Sequence, residues 1–505
     1  MAILECPPFP LTPIDNVMPR HYVTKLLFFP KLPGSDMFAI KETLQSGLAE
    51  TLKAFPPLSG TVQVIQTGVQ QGTLYVSAPW NNISKVFHVR DLRDMRSLNY
   101  ADIRNRNFPV QTSDRSVFTP LADINYQARQ KPVMLVQMNI IRGGFIVALS
   151  MHHSFTDANG TVAVARVWAA YCRRENGSRL LTRDIVERER LMQWSEGERA
   201  SVGELQQVFL LPTQAQAQST VLSGDNIGMA KGIRRMGHGI LPTQPQTQST
   251  ALSDDSTSEA KDIPILGHGT QSNIFFFSRT KLAELKSMAS KKERDENGSR
   301  WVSTNDALCS LIGCCVHSAS ALDAEGHDKQ AVIDIAVNMR PFLDPPLPSD
   351  SIGNVLNRLR IIVPRNTIEP TPKRVTEIAY LIRQKFKLLD QESFRRGISF
   401  LKSLPDISRA DILVPESQDV IGFSSWSKLN FYDIDWGNVV GTKIERVRPC
   451  IPPGFKDFAI ILPELKTPRF ETDQCGLEVS IWVEESTMER LKQDQLFNRF
   501  AECRC

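Results

Sequence analysis

Nothing in this chain approaches the roughly 18 consecutive apolar residues that a membrane-crossing helix needs. It also lacks the basic start and apolar stretch of a secretory signal, for it opens Met1-Ala2-Ile3-Leu4-Glu5-Cys6-Pro7-Pro8. Charge of one sign is missing too. The 59 basic and 55 acidic side chains leave +4 over 505 residues, far from the basic stripe of a nucleic-acid binder. Nine cysteines are present, but no Cys-x-x-Cys pair, which excludes a zinc-finger spacing and disfavours a disulfide framework. No Gly-x-Ser-x-Gly elbow occurs, so a hydrolase-type serine nucleophile is disfavoured. These absences lead to an expectation of a cytoplasmic protein with reduced thiols and no membrane or nucleic-acid partner.

What is present is ordinary for a globular protein: 41% hydrophobic, 8% aromatic and 23% charged residues. The length suits two to four domains at ~100–200 residues each. The middle of the chain differs from the rest. Leu211-Pro-Thr-Gln-Ala-Gln-Ala-Gln-Ser-Thr220 returns as Leu241-Pro-Thr-Gln-Pro-Gln-Thr-Gln-Ser-Thr250, and aligning 211–239 with 241–269 gives 17 identities in 29 positions. Two copies are too few to stack a solenoid. Their polar, aromatic-poor composition predicts a flexible linker over 201–270. A partner-docking segment, or a metal site on His238 and His268, is the sharper alternative. The linker divides the chain into 1–200 and 271–505.

Both halves mix strand and helix signals. Alternation predicts a strand over Pro132–Ile141, a turn at Gly143-Gly144 and a buried strand over Phe145–Met151. A mostly apolar helix follows over Gly160–Arg173. In the second half, helices are predicted over Arg279–Lys292, Ser303–Ser318, Val375–Leu389 and Glu485–Phe497. Strands are predicted over Ala331–Asn338, Leu359–Val363, Phe458–Leu462 and Leu477–Val483. The fold class is therefore mixed α/β in two lobes.

One segment carries chemistry. Ser150-Met151-His152-His153-Ser154-Phe155-Thr156-Asp157 stands where a buried strand gives way to a helix. A strand end fixes a side chain while leaving it reachable. Histidine there can act as a general base near neutral pH. The spacing alone leaves other readings open. One is a hydrogen-bonded core histidine; another is a metal site from His152, His153 and Asp157, which the opposite faces of adjacent strand residues oppose.

His152-His153-Ser-Phe-Thr-Asp157-Ala-Asn-Gly160 resembles the His-His-x-x-x-Asp-Gly signature of the BAHD acyl-CoA-dependent acyltransferases. Chloramphenicol acetyltransferase, carnitine acyltransferases and peptide-synthetase condensation domains share it. Further matches follow in family order. Leu11-Thr-Pro-Ile-Asp15 is similar to Leu-Ser-Pro-x-Asp, and Phe55-Pro-Pro-Leu-Ser-Gly60 to Tyr-Pro-Leu-Ala-Gly. Ser303-Thr-Asn-Asp-Ala-Leu308 resembles a helix start, Ser-Thr-x-x-x-Leu. Val337-Asn-Met-Arg340, Pro345-Pro-Leu-Pro348 and Gly353-Asn354 resemble Val-Asp-x-Arg, Pro-Pro-Leu-Pro and Gly-Asn. Ser424-Ser-Trp426 and Tyr432-Asp-Ile-Asp435-Trp-Gly437 resemble Thr-Ser-Trp and the Asp-Phe-Gly-Trp-Gly segment. The flavour is that of the fungal branch, such as trichothecene O-acetyltransferases. Ala158, Asn338, Asn438-Val439 and Ile312-Gly313 depart from the family pattern.

The resemblance implies two chloramphenicol-acetyltransferase-like lobes, each a mixed sheet with helices, joined by a long crossover linker and meeting along a tunnel. It implies an O-acyltransferase that uses acyl-CoA, acetyl-CoA foremost, on a hydroxyl of a specialised metabolite, working as a monomer with no permanent cofactor or metal. His153 would be the general base. Ser424 would donate to the oxyanion. Asp157 would support the histidine loop, paired with Arg340. Ser303, Thr304, Lys281 and Lys291 are the candidate CoA contacts. N-acylation, condensation or cyclisation by the same histidine, a carrier-protein-dependent condensation-like domain, and an inactive binding relative remain as alternatives.

Overall fold

The computed structural model describes residues 8–65, 72–77, 83–109, 115–123, 131–182, 188–193, 233–235, 269–295, 298–320, 330–404, 407, 413–415, 418–452, 455–464 and 475–505. The predicted linker 201–270, with His238 and His268, lies outside the described residues apart from 233–235 and 269–270.

Two large sheets carry the fold. The first has five strands in the order Arg446–Cys450, Tyr22–Pro30, Gly144–His152, Met134–Ile141 and Phe87–Asp91. The second has seven, in the order Leu356–Pro364, Gln330–Asn338, Gln418–Ser425, Phe458–Ile461, Gly476–Glu484, Thr270–Ser278 and Glu502–Cys503. Each buries its own core. In the first, Val147, Leu149 and Met151 pack with Leu44, Leu48, Val164 and Trp168 of the helices Met37–Ala54 and Ala158–Cys172. In the second, Ile333, Ile335, Ile361 and Phe423 pack with Leu308, Leu311 and Ile312 of the helix Thr304–Ser320 and with Ile378 of the helix Pro372–Phe386.

The predicted strands of both halves form, with ends shifted by up to three residues. The buried strand after the hairpin runs over Gly144–His152, and all nine residues are buried. The turn is set one residue earlier than predicted. Ile141 pairs with Gly144, so Arg142 and Gly143 make the loop, and Gly143 takes φ +80°. Glycine suits that left-handed conformation. Gly144 is needed for a different reason: a Cβ there would stand 2.3 Å from the Tyr100 ring. The single helix expected over Glu485–Phe497 is two, Glu485–Gln493 and Gln495–Phe500. Asp494 breaks it, with extended ψ 121° and a side chain that caps the second helix at Phe497 N. Likewise the helix predicted over Arg279–Lys292 stops at Ala289, because Ser290 turns extended and Lys291–Asp295 forms a strand.

The lobes exchange segments. Arg446–Cys450 pairs antiparallel with Tyr22–Pro30, so the second half of the chain supplies an edge strand to the first sheet. Trp426, Phe431 and Trp436 belong to the first core, while Ile14, Val17 and Met18 belong to the second. Opposite faces of one strand explain how the lobes touch. Ile461 and Val479 enter the second core, whereas Ile460 and Trp482 enter the first. The seven-stranded sheet therefore turns the face opposite its own helices toward the other lobe.

Candidate active site

His153 follows the last residue of a strand whose register is fixed from two sides. His152 pairs with Tyr22, and Met151 with Met134. Past His152 the ladder ends. The amide of His153 donates to His21 O at 2.8 Å, and that of Phe155 to His152 O at 2.9 Å, which bends the chain out of the sheet. Asp157 then starts the helix Ala158–Cys172. Its extended backbone places the carboxylate over Asn159 N (3.0 Å) and Gly160 N (3.1 Å). An N-cap of this kind satisfies amides that a helix end otherwise leaves bare.

The two histidines differ in surroundings. His152 is 1% exposed, its ring lies edge-on to Tyr22 at 5.3 Å, and its Nδ1 accepts from Ser154 N. His153 is half-buried, and its ring lies edge-on to His21 at 5.8 Å. Among the described residues, no three His, Cys, Asp or Glu side chains are grouped to hold a metal ion.

The opposite lobe grips the turn at four points. Arg340, fully buried, sends Nη1 to Asp157 Oδ2 at 2.8 Å and Nη2 to Asp157 Oδ1 at 3.1 Å. It also donates to Ser351 Oγ, Ser351 O and Gly353 O. Asn354 Nδ2 donates to His153 O at 2.7 Å. Gly353 N donates to Thr156 Oγ1, and Asp157 N donates to Gly353 O. Asp15 accepts from Asn354 N and Nδ2 and from Arg188, whose Nη2 reaches Phe155 O. None of the described hydrogen bonds of Asp157 goes to the His153 ring.

Three of these residues carry no local signal of a site. Asp15 and Asn354 sit in recognisable motifs, but nothing in those motifs assigns them to His153. Arg188 stands in no motif. Lys25 also goes unread; it is the one charge in the strand Tyr22–Pro30. Its ammonium is fully buried, donates to Thr161 Oγ1 at 3.0 Å and lies 5.4 Å from the Trp426 ring. Thr161 Oγ1 donates in turn to Asp157 O.

Burial dominates the electrostatics. It lowers the Lys25 ammonium to about 7, against the pull of the Asp157 charge. It also holds the His153 imidazole below its ordinary 6.5. A hydrogen bond at its own backbone opposes this, Lys25 adds to the lowering, and the Asp157 charge and a hydrogen bond from the Asn354 side chain work against it. His152 is pushed well below 6.5 by burial and by the neighbouring cations. At neutral pH both rings are neutral, the form in which an imidazole nitrogen can accept a proton.

The remaining candidates are more scattered. Ser424 lies half-buried near the end of the strand Gln418–Ser425, on the face that Ile460 shares. Ser303 caps the helix Thr304–Ser320, accepting from Asp306 N while Asp306 accepts from Ser303 N. Thr304 is half-buried beside it. Lys281 is paired with Glu284 at 3.2 Å, and Lys291 opens the strand Lys291–Asp295. No described interaction joins these four to the histidine turn.

A fold of two sheets meeting at a histidine turn is that of a known class. The chain belongs to the Transferase family, whose model matches residues 5–497. That is the BAHD-type family which the motifs resemble. Among its relatives, the acyltransferase BOA11 of Botryotinia fuckeliana is 25% identical over 97% of this chain and 96% of its own. The eremophilane O-acetyltransferase prx11 of Penicillium rubens is 25% identical over 97% of each. In three dimensions the chain is similar to TRI101 of F. graminearum, solved with coenzyme A and T-2 mycotoxin. The TM-score is 0.73 at 20% identity, covering 99% of this chain and 100% of that one. Vinorine synthase shares the fold at a TM-score of 0.57 and 18% identity, over 97% of this chain and 92% of its own.

Proposed function

We propose that this protein is an acyl-CoA-dependent O-acyltransferase that moves an acetyl group onto a hydroxyl of a specialised metabolite. The carrying observation is a half-buried histidine on a turn held by both lobes. The relatives' names support the reaction: O-acetyltransferase for an eremophilane in one, and a fold neighbour solved with coenzyme A in another.

In the reaction, His153 takes the proton of the acceptor hydroxyl as its oxygen attacks the thioester carbonyl. The tetrahedral oxyanion forms facing the seven-stranded sheet, where the Ser424 hydroxyl is the donor we assign. Collapse breaks the carbon–sulfur bond, and the CoA thiolate regains the proton from His153. No acyl-enzyme is required, because both substrates are held together and the histidine moves only a proton. General base catalysis is worth about 10²–10⁴-fold, and an oxyanion donor on the order of 10²–10³-fold. Asp157 and Arg340 keep the turn in place and exchange no proton with substrate. For the CoA contacts, the cap and ion pair already occupying Ser303 and Lys281 weaken their assignment, and Thr304 and Lys291 remain proposals.

The test is free-thiol release from acetyl-CoA in the presence of hydroxylated terpenoids, polyketides and alkaloids, with mass spectrometry of the products. Wild type should acetylate at least one panel member, and His153→Ala should lose about 10²–10⁴-fold. Equal rates for the two would refute the reading. Turnover only with a carrier-bound thioester would replace it with the condensation-like alternative.

A further inference from the structure

The face of the seven-stranded sheet opposite its helix-covered core carries a charged cluster that the reaction above does not use. Asp334, fully buried, accepts from Arg358 Nε at 2.9 Å and from Arg360 Nε at 3.0 Å. Arg360 is 3% exposed, yet its Nη1 and Nη2 have no hydrogen-bond partner among the described residues. Buried donors left bare cost free energy, the more so on a charged group. A guanidinium fork in that condition is set for an anionic oxygen pair.

The register fixes where this fork stands. Asp334 pairs with Arg360 on one side and with Gly422 on the other. Ile333, Ile335, Leu359, Ile361, Ile421 and Phe423 enter the helix-covered core, so alternation puts Asp334, Arg358, Arg360, Gly422 and Ser424 on the opposite face. Arg360 is two strand spacings from Gly422, and Ser424 is two residues further along. That separates the Cα atoms of Arg360 and Ser424 by about 12 Å. Strand Leu356–Pro364 itself begins beside the histidine turn, since Val355 N donates to Asp157 Oδ2.

A CoA thioester whose carbonyl sits at Ser424 has thirteen bonds between its sulfur and its first phosphorus. At ~3.5 Å per three backbone bonds, that arm spans about 15 Å. A phosphate at its end falls within an arginine's reach of the fork, whereas an acyl group ends within a few bonds of the carbonyl.

We propose that Arg360, braced through the Asp334 it shares with Arg358, binds the phosphates of the CoA nucleotide. The assignment rests on the acyltransferase reading above. An anionic oxygen is the required chemistry; the other source of one is the carboxylate of a dicarboxylic acyl group.

Two measurements test it: calorimetric titration with CoA, and the ratio of kcat/KM for acetyl-CoA to that for S-acetylpantetheine, which has no phosphate. Arg360→Met should weaken CoA binding and lower that ratio by about 10- to 100-fold. Arg360→Lys keeps the charge and loses the fork, so it should fall between. It carries the test if the methionine variant does not fold. An unchanged ratio in a folded variant overturns the proposal and leaves the acyltransferase reading standing. A changed preference between malonyl-CoA and acetyl-CoA, with the pantetheine ratio intact, overturns it in favour of the acyl carboxylate. Wild type that neither binds nor turns over CoA thioesters removes both.

Discussion

Replacing Asp157 separates two jobs that its carboxylate performs at once. It caps a helix through Asn159 N and Gly160 N, and it neutralises Arg340, which no solvent reaches. Loss of a cap costs about 1 kcal/mol. Stranding one partner of a buried ion pair costs about 3–5 kcal/mol. The lower end applies here, because Arg340 keeps Ser351 Oγ, Ser351 O, Gly353 O and Asn338 Oδ1 as acceptors. Asp157→Ala should therefore lose about 4 kcal/mol, a large part of a net stability of roughly 5–15 kcal/mol. Asp157→Asn retains an oxygen for the two helix amides and should lose about 3 kcal/mol. In the double variant Asp157→Asn/Arg340→Met the stranded charge is gone. Its loss should fall short of the sum of the single losses by at least about 2 kcal/mol. Urea unfolding followed by tryptophan fluorescence reads these three and the Arg340→Met single variant, with kcat measured on the same samples. If Asp157→Asn costs under ~1 kcal/mol yet abolishes turnover, the carboxylate acts on the reaction itself and the support role is wrong.

Other consequences are quicker to check. The acid limb of kcat/KM should lie below pH 6.5, since activity is lost as falling pH protonates a His153 whose pKa burial has lowered. Lys25→Met removes a charge that repels that proton, so the limb should move upward; a downward move refutes the coupling. His152→Gln should lower thermal stability by about 1–3 kcal/mol and leave the acid limb where it was, because that ring is sealed and bonded to its own turn. A Cβ on Gly160 would stand 2.1 Å from Thr156 Oγ1 and 3.0 Å from Ile352 Cα, so Gly160→Ala should cost about 1–3 kcal/mol and lower kcat; an unchanged melting curve would count against the packing argument.

Much of the fold is written locally. Phe145–Met151 alternates its contacts within a run of apolar residues, and the strand that forms runs only one residue further at each end. The helix expected over Val375–Leu389 forms three residues earlier, over Pro372–Phe386, because Thr371 caps it and Pro372 opens it, while the helix Gln391–Ser403, capped by Asp390, is not predicted. Asp494 shows the limit, because a polar residue within a helical periodicity reads the same whether it is exposed or caps a new start. Long-range partnerships are the part that no window reveals. Arg188 meets Asp15 across 173 positions and Asn354 meets Asp15 across 339, while the pairing of Arg340 with Asp157 across 183 comes only from the family resemblance. The same holds for Arg446–Cys450, a five-residue strand whose place in the first sheet depends on Tyr22–Pro30, more than 400 positions away. Arg360 reads in sequence as half of an ordinary Arg-Leu-Arg alternation, and only the register beside Asp334 and Gly422 gives it a direction.

The grip on the turn bears on how the base works. Asn354 holds His153 by its carbonyl, Arg188 holds Phe155 by its carbonyl, and Gly353 holds Asp157 by its amide. Backbone atoms are fixed, while on the His153 ring nitrogen the hydrogen bonds come from its own backbone and from the Asn354 side chain, not from a carboxylate. A carboxylate on that nitrogen would stabilise the imidazolium and raise the pKa. Here the Asp157 carboxylate is already engaged by Arg340 and the helix amides, so desolvation prevails and the ring stays neutral. An imidazolium formed during the reaction is then poorly stabilised. That disfavours a lasting ion pair and favours prompt return of the proton to the departing thiolate. Positioning mainly through the backbone thus lets the two lobes fix the base without placing a carboxylate on its ring.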